Sequence, residues 1–161
     1  MLPEYQKMGL TAHNGIDFVC PRGERILWDG YDIEGKVIQL STEQNEGLGV
    51  VILTEDKDGI FQHRFWHLLE IRCKVGQVLN SGDLIGLVDS TGFSTGDHIH
   101  RDVKELDGNY KVKNYNNGYF GAIDFWPYFT NIYIGDTMGN LWKMMEKMMG
   151  IINRMIIGLS K

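Results

Sequence analysis

The segment Asp97-His98-Ile99-His100-Arg101, directly after Ser94-Thr95-Gly96, holds the densest chemistry in the chain. Histidine is scarce, with five among 161 residues, and two of the five stand at i and i+2. In a β-strand that spacing puts both imidazoles on one face. At a rise of about 3.3 Å per residue their Cα atoms lie roughly 6–7 Å apart. A third histidine heads His13-Asn14-Gly15-Ile16-Asp17. Imidazoles grouped with a carboxylate are the donors a transition metal takes, zinc foremost. A metal held this way points to a hydrolase rather than a plain β domain. Spacing alone leaves two options open. Both His98 and His100 bind one metal, or one binds while the other moves a proton on bound water.

His13 and Asp17 need help to share a metal. Fully extended, residues four apart are about 13 Å from each other, far beyond bonds of about 2 Å. A turn must bring them together, and Asn14-Gly15 has suitable turn chemistry. His67, in Phe65-Trp66-His67-Leu68, stands near a strand end and is able to join from another part of the sheet. His63 shares its parity and is the spare candidate, although a lone histidine on an apolar strand is ordinarily structural.

Around these residues the chain reads as mainly β. It has 20 glycines and only 3 prolines, which suits short strands joined by turns better than a helical bundle. The first dozen residues read as irregular. Strands are expected at 16–19, 25–28, 35–40, 48–54, 60–69, 84–88 and 99–103, the last bearing the paired histidines. Asp56-Lys57-Asp58-Gly59 is a strong hairpin turn. Residues 75–83 are polar and turn-rich, and 107–119 read as a long surface loop. Residues 124–133 are aromatic and expected to pack back on the sheet.

The period changes in the tail. Leu141, Met145, Met148, Ile152, Met155, Ile156 and Leu159 recur at three or four residues, with Lys143, Glu146, Lys147 and Arg154 opposite. That pattern predicts an amphipathic helix over 136–158. The expected organisation is a β domain over 1–135, which bears the candidate zinc ligands, and a helical tail over 136–161. The tail is cationic while the body is acidic, and the formal net charge is −5. Two uses of residues 138–161 follow, self-association by packing or binding to an anionic membrane surface.

The acidic balance, with no Lys/Arg cluster, argues against nucleic acid. Cys20 and Cys73 lie in no zinc-binding spacing. They read as two buried free thiols, with a single disulfide as the other option. The first residues have no apolar run, so no signal peptide is expected, and no stretch reaches membrane-spanning length.

Several motifs occur in a set order. They are His13-Asn14-Gly15-Ile16-Asp17, Trp66-His67-Leu68, the stretch Val75-Gly76-Gln77 to Ile85-Gly86, Ser90-Thr91-Gly92-Phe93-Ser94-Thr95-Gly96, and His98-Ile99-His100. Over roughly residues 9–105 the chain resembles the lysostaphin-like (LytM-type) zinc endopeptidases, which cut peptide bonds in bacterial peptidoglycan. The resemblance implies an antiparallel sheet with an open substrate groove walled by loops. It implies zinc held by His13, Asp17 and His100. It makes His98 the general base and gives His67 a part at the water and transition state. It also implies peptidoglycan peptides as substrate, at stem-peptide cross-links or interpeptide bridges, and work at the bacterial cell wall or periplasm. Such action without a leader would suit a phage-encoded protein, as endolysin or virion-associated lysin. Some relatives lose ligands and serve as non-catalytic wall-binding or structural modules, whereas this chain retains the full set.

The departures lie beside the paired histidines. The family pattern Gly-Pro-His-Leu-His-Phe-Glu becomes Gly96-Asp97-His98-Ile99-His100-Arg101-Asp102. Asp97 replaces a rigid proline and adds a charge beside the expected base, which bears on pH dependence. Arg101 replaces an apolar residue on the opposite strand face, so the back of the sheet is expected to be wetter or differently covered.

Overall fold

The computed structural model describes residues 3–30, 33–42 and 47–125. The start of the chain is not wholly irregular, because a short helix, α1, spans Pro3–Lys7. The eight strands are β1 (Ile16–Val19), β2 (Arg25–Leu27), β3 (Gly35–Ser41), β4 (Leu48–Asp56), β5 (Gly59–Ile71), β6 (Val78–Leu79), β7 (Leu84–Val88) and β8 (His98–Leu106). Every pairing is antiparallel, as expected. Strand β6 lies inside the segment read as turns. Among the described residues the fold is a mainly β, antiparallel sheet domain, as expected; the expected tail helix and most of the aromatic segment lie outside them.

The main path runs β1-β8-β5-β4-β3-β6, with β7 joined to β5 and β2 to β7. β4 and β5 form the hairpin that the Asp-rich turn predicts, and Asp56 Oδ1 accepts from the Asp58 and Gly59 amides at 2.8 and 3.2 Å. β5 is long enough to serve two neighbours. Residues 60–66 pair with β8, while Leu68, Glu70 and Ile71 pair with β7. His67 falls between the two pairings.

Register assigns the two faces. On one face Val50, Phe65 and Arg101 lie opposite one another, as do Ile52, His63 and Val103. This is the core face, where Trp28, Phe65, Ile52, Val50 and Ile99 are all but fully buried with Leu68, Ile85 and Val88. On the other face stand Gly49, Trp66, His100 and Asp17 in one row, with Val51, Arg64 and Asp102 in the next. A Cβ at Gly49 would enter the Trp66 indole, so glycine there lets the ring lie flat on β4.

Arg101 shows how the back of the sheet is covered. It is buried in the core face rather than wetted. It pairs with buried Asp29, and its guanidinium lies 5.0 Å from the Phe65 ring centre and 5.3 Å from that of Phe125. Phe125 is the part of the aromatic segment that is seen to fold back. Cys20 and Cys73 are both free thiols, buried and half-buried respectively, and burial pushes the Cys20 thiol up to about 11. No helix among the described residues is long and apolar enough to cross a membrane.

Candidate metal centre and active site

β1 and β8 carry the centre between them. Asp17 lies directly opposite His100 in the antiparallel register, so both side chains rise from the same face. The turn before β1 brings His13 over the same point. Gly15 makes that approach possible, because a Cβ there would stand 2.6 Å from the His100 ring and 2.5 Å from the Arg101 carbonyl oxygen. His13 Nε2 lies 2.9 Å from His100 Nδ1 and 3.3 Å from Asp17 Oδ1. His100 Nδ1 lies 3.1 Å from the same oxygen. A tetrahedral zinc centre with bonds of about 2.0–2.1 Å has edges of about 3.3 Å, so three donors at these separations fit such an ion. His13, Asp17 and His100 are a group able to hold a metal, with donor atoms all within 4.8 Å of one another.

The electrostatics favour a cation there. Partial burial opposes charge on Asp17, but hydrogen bonds from His100 and His13, with their charges, hold its carboxyl far below the usual range. Burial likewise opposes a positive charge at His100. Asp102 and Asp17, one near each ring nitrogen, outweigh it and raise the pKa. The Asp17 side chain keeps 40% of its exposure while that of His100 keeps 10%. The carboxylate therefore faces solvent and the imidazole forms the floor.

His67 and His98 stand beside the donors. Their rings are 4.8 Å apart, and the His67 ring is 6.1 Å from that of His100. Strict alternation along β5 would put His67 with His63 and Phe65 on the core face. Instead His67 has φ of 69°, a left-handed conformation uncommon outside glycine. This reverses the side chain onto the site face. Thr91 stabilises the kink, since its Oγ1 donates to the Leu68 carbonyl at 2.8 Å and accepts from the Leu48 amide at 3.1 Å. His67 Nδ1 lies 2.7 Å from the Thr91 carbonyl.

His98 is held in a similar way. Its Nδ1 lies 2.7 Å from the Gly96 carbonyl and 3.3 Å from Ser94 Oγ. A carbonyl only accepts, so each Nδ1 carries the hydrogen and each neutral ring has its lone pair at Nε2. His98 Nε2 lies 3.5 Å from Asp17 Oδ1, so that lone pair faces the centre. Burial lowers the pKa of His67, and the charges of His98 and His100 add to the effect against its bond to Thr91. Asp97 is exposed in the bend before β8. The groups seated on the His98 ring come from Ser94, Gly96, Asp17 and His67.

His63 is not part of this cluster. It lies on the core face, edge-on to Trp28 with ring centres 5.2 Å apart. Its Nε2 is 3.0 Å from Thr54 Oγ1 and its Nδ1 is 3.4 Å from an Arg101 nitrogen. Guanidinium only donates, so His63 is neutral, with its hydrogen on Nε2. Thr91, Ser94, Arg64 and Asp102 escaped the sequence reading as supports of the site. The Ser-Thr-Gly repeat was the available signal for the first two.

This fold and this arrangement of side chains define a class, and the comparisons agree. Residues 11–114 match Peptidase family M23, and the chain belongs to that family. It is 35% identical over 94 residues to the peptidoglycan DD-endopeptidase ShyB of Vibrio cholerae, covering 58% of this chain and 21% of that protein. It is 32% identical over 88 residues to the glycyl-glycine endopeptidase ALE-1 of Staphylococcus capitis, covering 55% of this chain and 23% of that protein. The catalytic domain of lysostaphin from Staphylococcus simulans superposes with a TM-score of 0.57 at 25% identity, covering 74% of this chain and 82% of that domain. The chain spans about a fifth of the length of the curated relatives it matches.

Proposed function

We propose that the chain is a zinc-dependent endopeptidase that hydrolyses peptide bonds in peptidoglycan, at the bacterial wall or periplasm. One observation carries the reading. In an M23 domain, the donor atoms of His13, Asp17 and His100 converge within 4.8 Å, beside His98, whose Nε2 lies 3.5 Å from Asp17 Oδ1, and His67, whose ring lies 4.8 Å from that of His98. His13, Asp17 and His100 would hold the zinc. When bound, zinc supplies Lewis acidity, polarising the scissile carbonyl and lowering the pKa of water from 15.7 toward about 7.

The chain's own residues do the rest. His98, fixed through Nδ1 by Gly96, takes a proton from the attacking water at Nε2 and returns it to the leaving amine. His67 is fixed through Nδ1 by Thr91, and burial lowers its pKa; its Nε2 accepts a hydrogen bond from the same water and orients it. A part in stabilising the oxyanion, as the resemblance implies, requires a proton on that Nε2. Burial opposes that proton.

The relatives differ in the bond their names specify, one a DD-endopeptidase and one a glycyl-glycine endopeptidase. The test is to incubate the full chain with purified peptidoglycan from walls of both cross-link types. Zinc is removed by a chelator and restored, and the released fragments are identified by mass spectrometry. New amino termini at a stem cross-link or a bridge, lost with zinc and regained with it, support the reading. Intact walls of both types with the zinc-loaded chain contradict it.

A further inference from the structure

Beyond the three donors, the site face of β8 continues into a second charged pair. Asp102 is fully buried, two residues past His100. Arg64, opposite it in register, grips the carboxylate with a guanidinium fork. Its Nε donates to Oδ1 and Oδ2 at 2.8 and 3.0 Å, and a terminal nitrogen reaches Oδ2 at 2.8 Å. The guanidinium is itself placed 5.6 Å from the Trp66 ring centre, and Trp66 lies opposite His100 against Gly49. The clamp leaves Asp102 Oδ2 at 3.5 Å from His100 Nε2.

The direction of this contact matters. An ionised carboxylate only accepts, so it favours the tautomer with hydrogen on Nε2. In the metal-free ring Asp17 Oδ1, 3.1 Å from Nδ1, competes for that hydrogen; with Asp102 to hold it at Nε2, the Nδ1 lone pair is released to a metal. A buried carboxylate without a partner would be strongly disfavoured, and the Arg64 fork offsets its charge. We propose that Arg64 and Asp102 act as a positioning pair that fixes the tautomer and ring orientation of His100, and so sets the affinity of the centre for its metal. The inference rests on His100 being a metal ligand.

The test uses the full chain, with zinc alone as the probe. Arg64→Gln removes the fork, Arg64→Lys keeps the charge without the fork, and Asp102→Asn keeps the shape without the charge. Zinc affinity is read by chelator competition, and the His100 tautomer by 15N NMR of the metal-free protein. Losing an outer partner of a ligating histidine weakens metal binding by about 10–100-fold. That loss is expected for Arg64→Gln and Asp102→Asn, with Arg64→Lys in between, together with a shift of His100 away from the Nε2–H form. Folded variants with unchanged zinc affinity and an unchanged His100 signature overturn the proposal. If Asp102→Asn does not fold, the Arg64 variants decide by the same criteria. A wild-type chain that binds no zinc overturns the metal reading instead. The metal-free signature still decides the pair's role, since a His100 signature unchanged in Arg64→Gln and Asp102→Asn overturns it.

Discussion

At the scale of single residues, the candidate site is a set of donors aimed by small neighbours. Gly15 is the clearest case, because the space a Cβ would need is filled by the His100 ring and the Arg101 carbonyl. Gly15→Ala must push the His13 turn away from His100. A zinc affinity at least tenfold weaker is the expected outcome, on the scale of other perturbed ligand shells, with thermal stability changed far less. Chelator competition and a melting curve check both parts. The residue types and the need for a turn were legible in the sequence, because metal donors and Asn-Gly turn chemistry are local signals. The supports of Arg101 and Asp102 were not. Asp29 is 72 positions from Arg101 and Arg64 is 38 from Asp102. Strand register brings Arg64 to Asp102, and the segment after β2 brings Asp29 to Arg101.

At the scale of elements, β5 decides which histidines meet. Its parity groups His63 with His67, and the fold separates them. The pairing partner changes from β8 to β7, and His67 takes a left-handed backbone at the join. Nothing in Trp66-His67-Leu68 announces that conformation, since no glycine marks it. The stabilising group lies in another loop, at Thr91. Thr91→Val removes the hydroxyl that serves both Leu48 and Leu68 and leaves those backbone groups unsatisfied. The expected cost is about 1–3 kcal/mol of stability. A fall in turnover with zinc content retained should accompany it, because His67 and not the donor set is displaced. Denaturant unfolding, metal analysis and a peptidoglycan assay on one preparation test the pattern. The strand positions were largely legible, because alternation and Gly-marked turns are local. α1 and β6 were not, being five and two residues long.

At the scale of the whole molecule, the charged groups in the core face tie stability to pH. Burial holds His63 down to about 3, with the Arg101 charge acting the same way and Asp102 against it. The unfolded chain takes a proton at this residue near pH 6.5, and the folded chain does not until about pH 3. Between those values the unfolded state binds more protons, so stability rises with pH and is lost as pH falls. The His63 contribution to that loss is about 1.4 kcal/mol per pH unit. In denaturant unfolding at pH 6 and pH 4.5, His63→Gln should show a shallower loss than the wild type, whatever its stability at neutral pH. Equal slopes would contradict the assignment of His63 as a neutral core residue.

His98 bears most directly on whether this centre cuts peptide bonds, because it is expected to move the proton while leaving the metal donors intact. His98→Ala should bind zinc as the wild type does, in metal analysis of the purified full chain. Its cleavage of purified peptidoglycan should fall by about 10²–10⁴-fold, the usual contribution of a positioned acid–base group. A variant that keeps both zinc and undiminished cleavage would contradict the role given to His98 and the mechanism built around it.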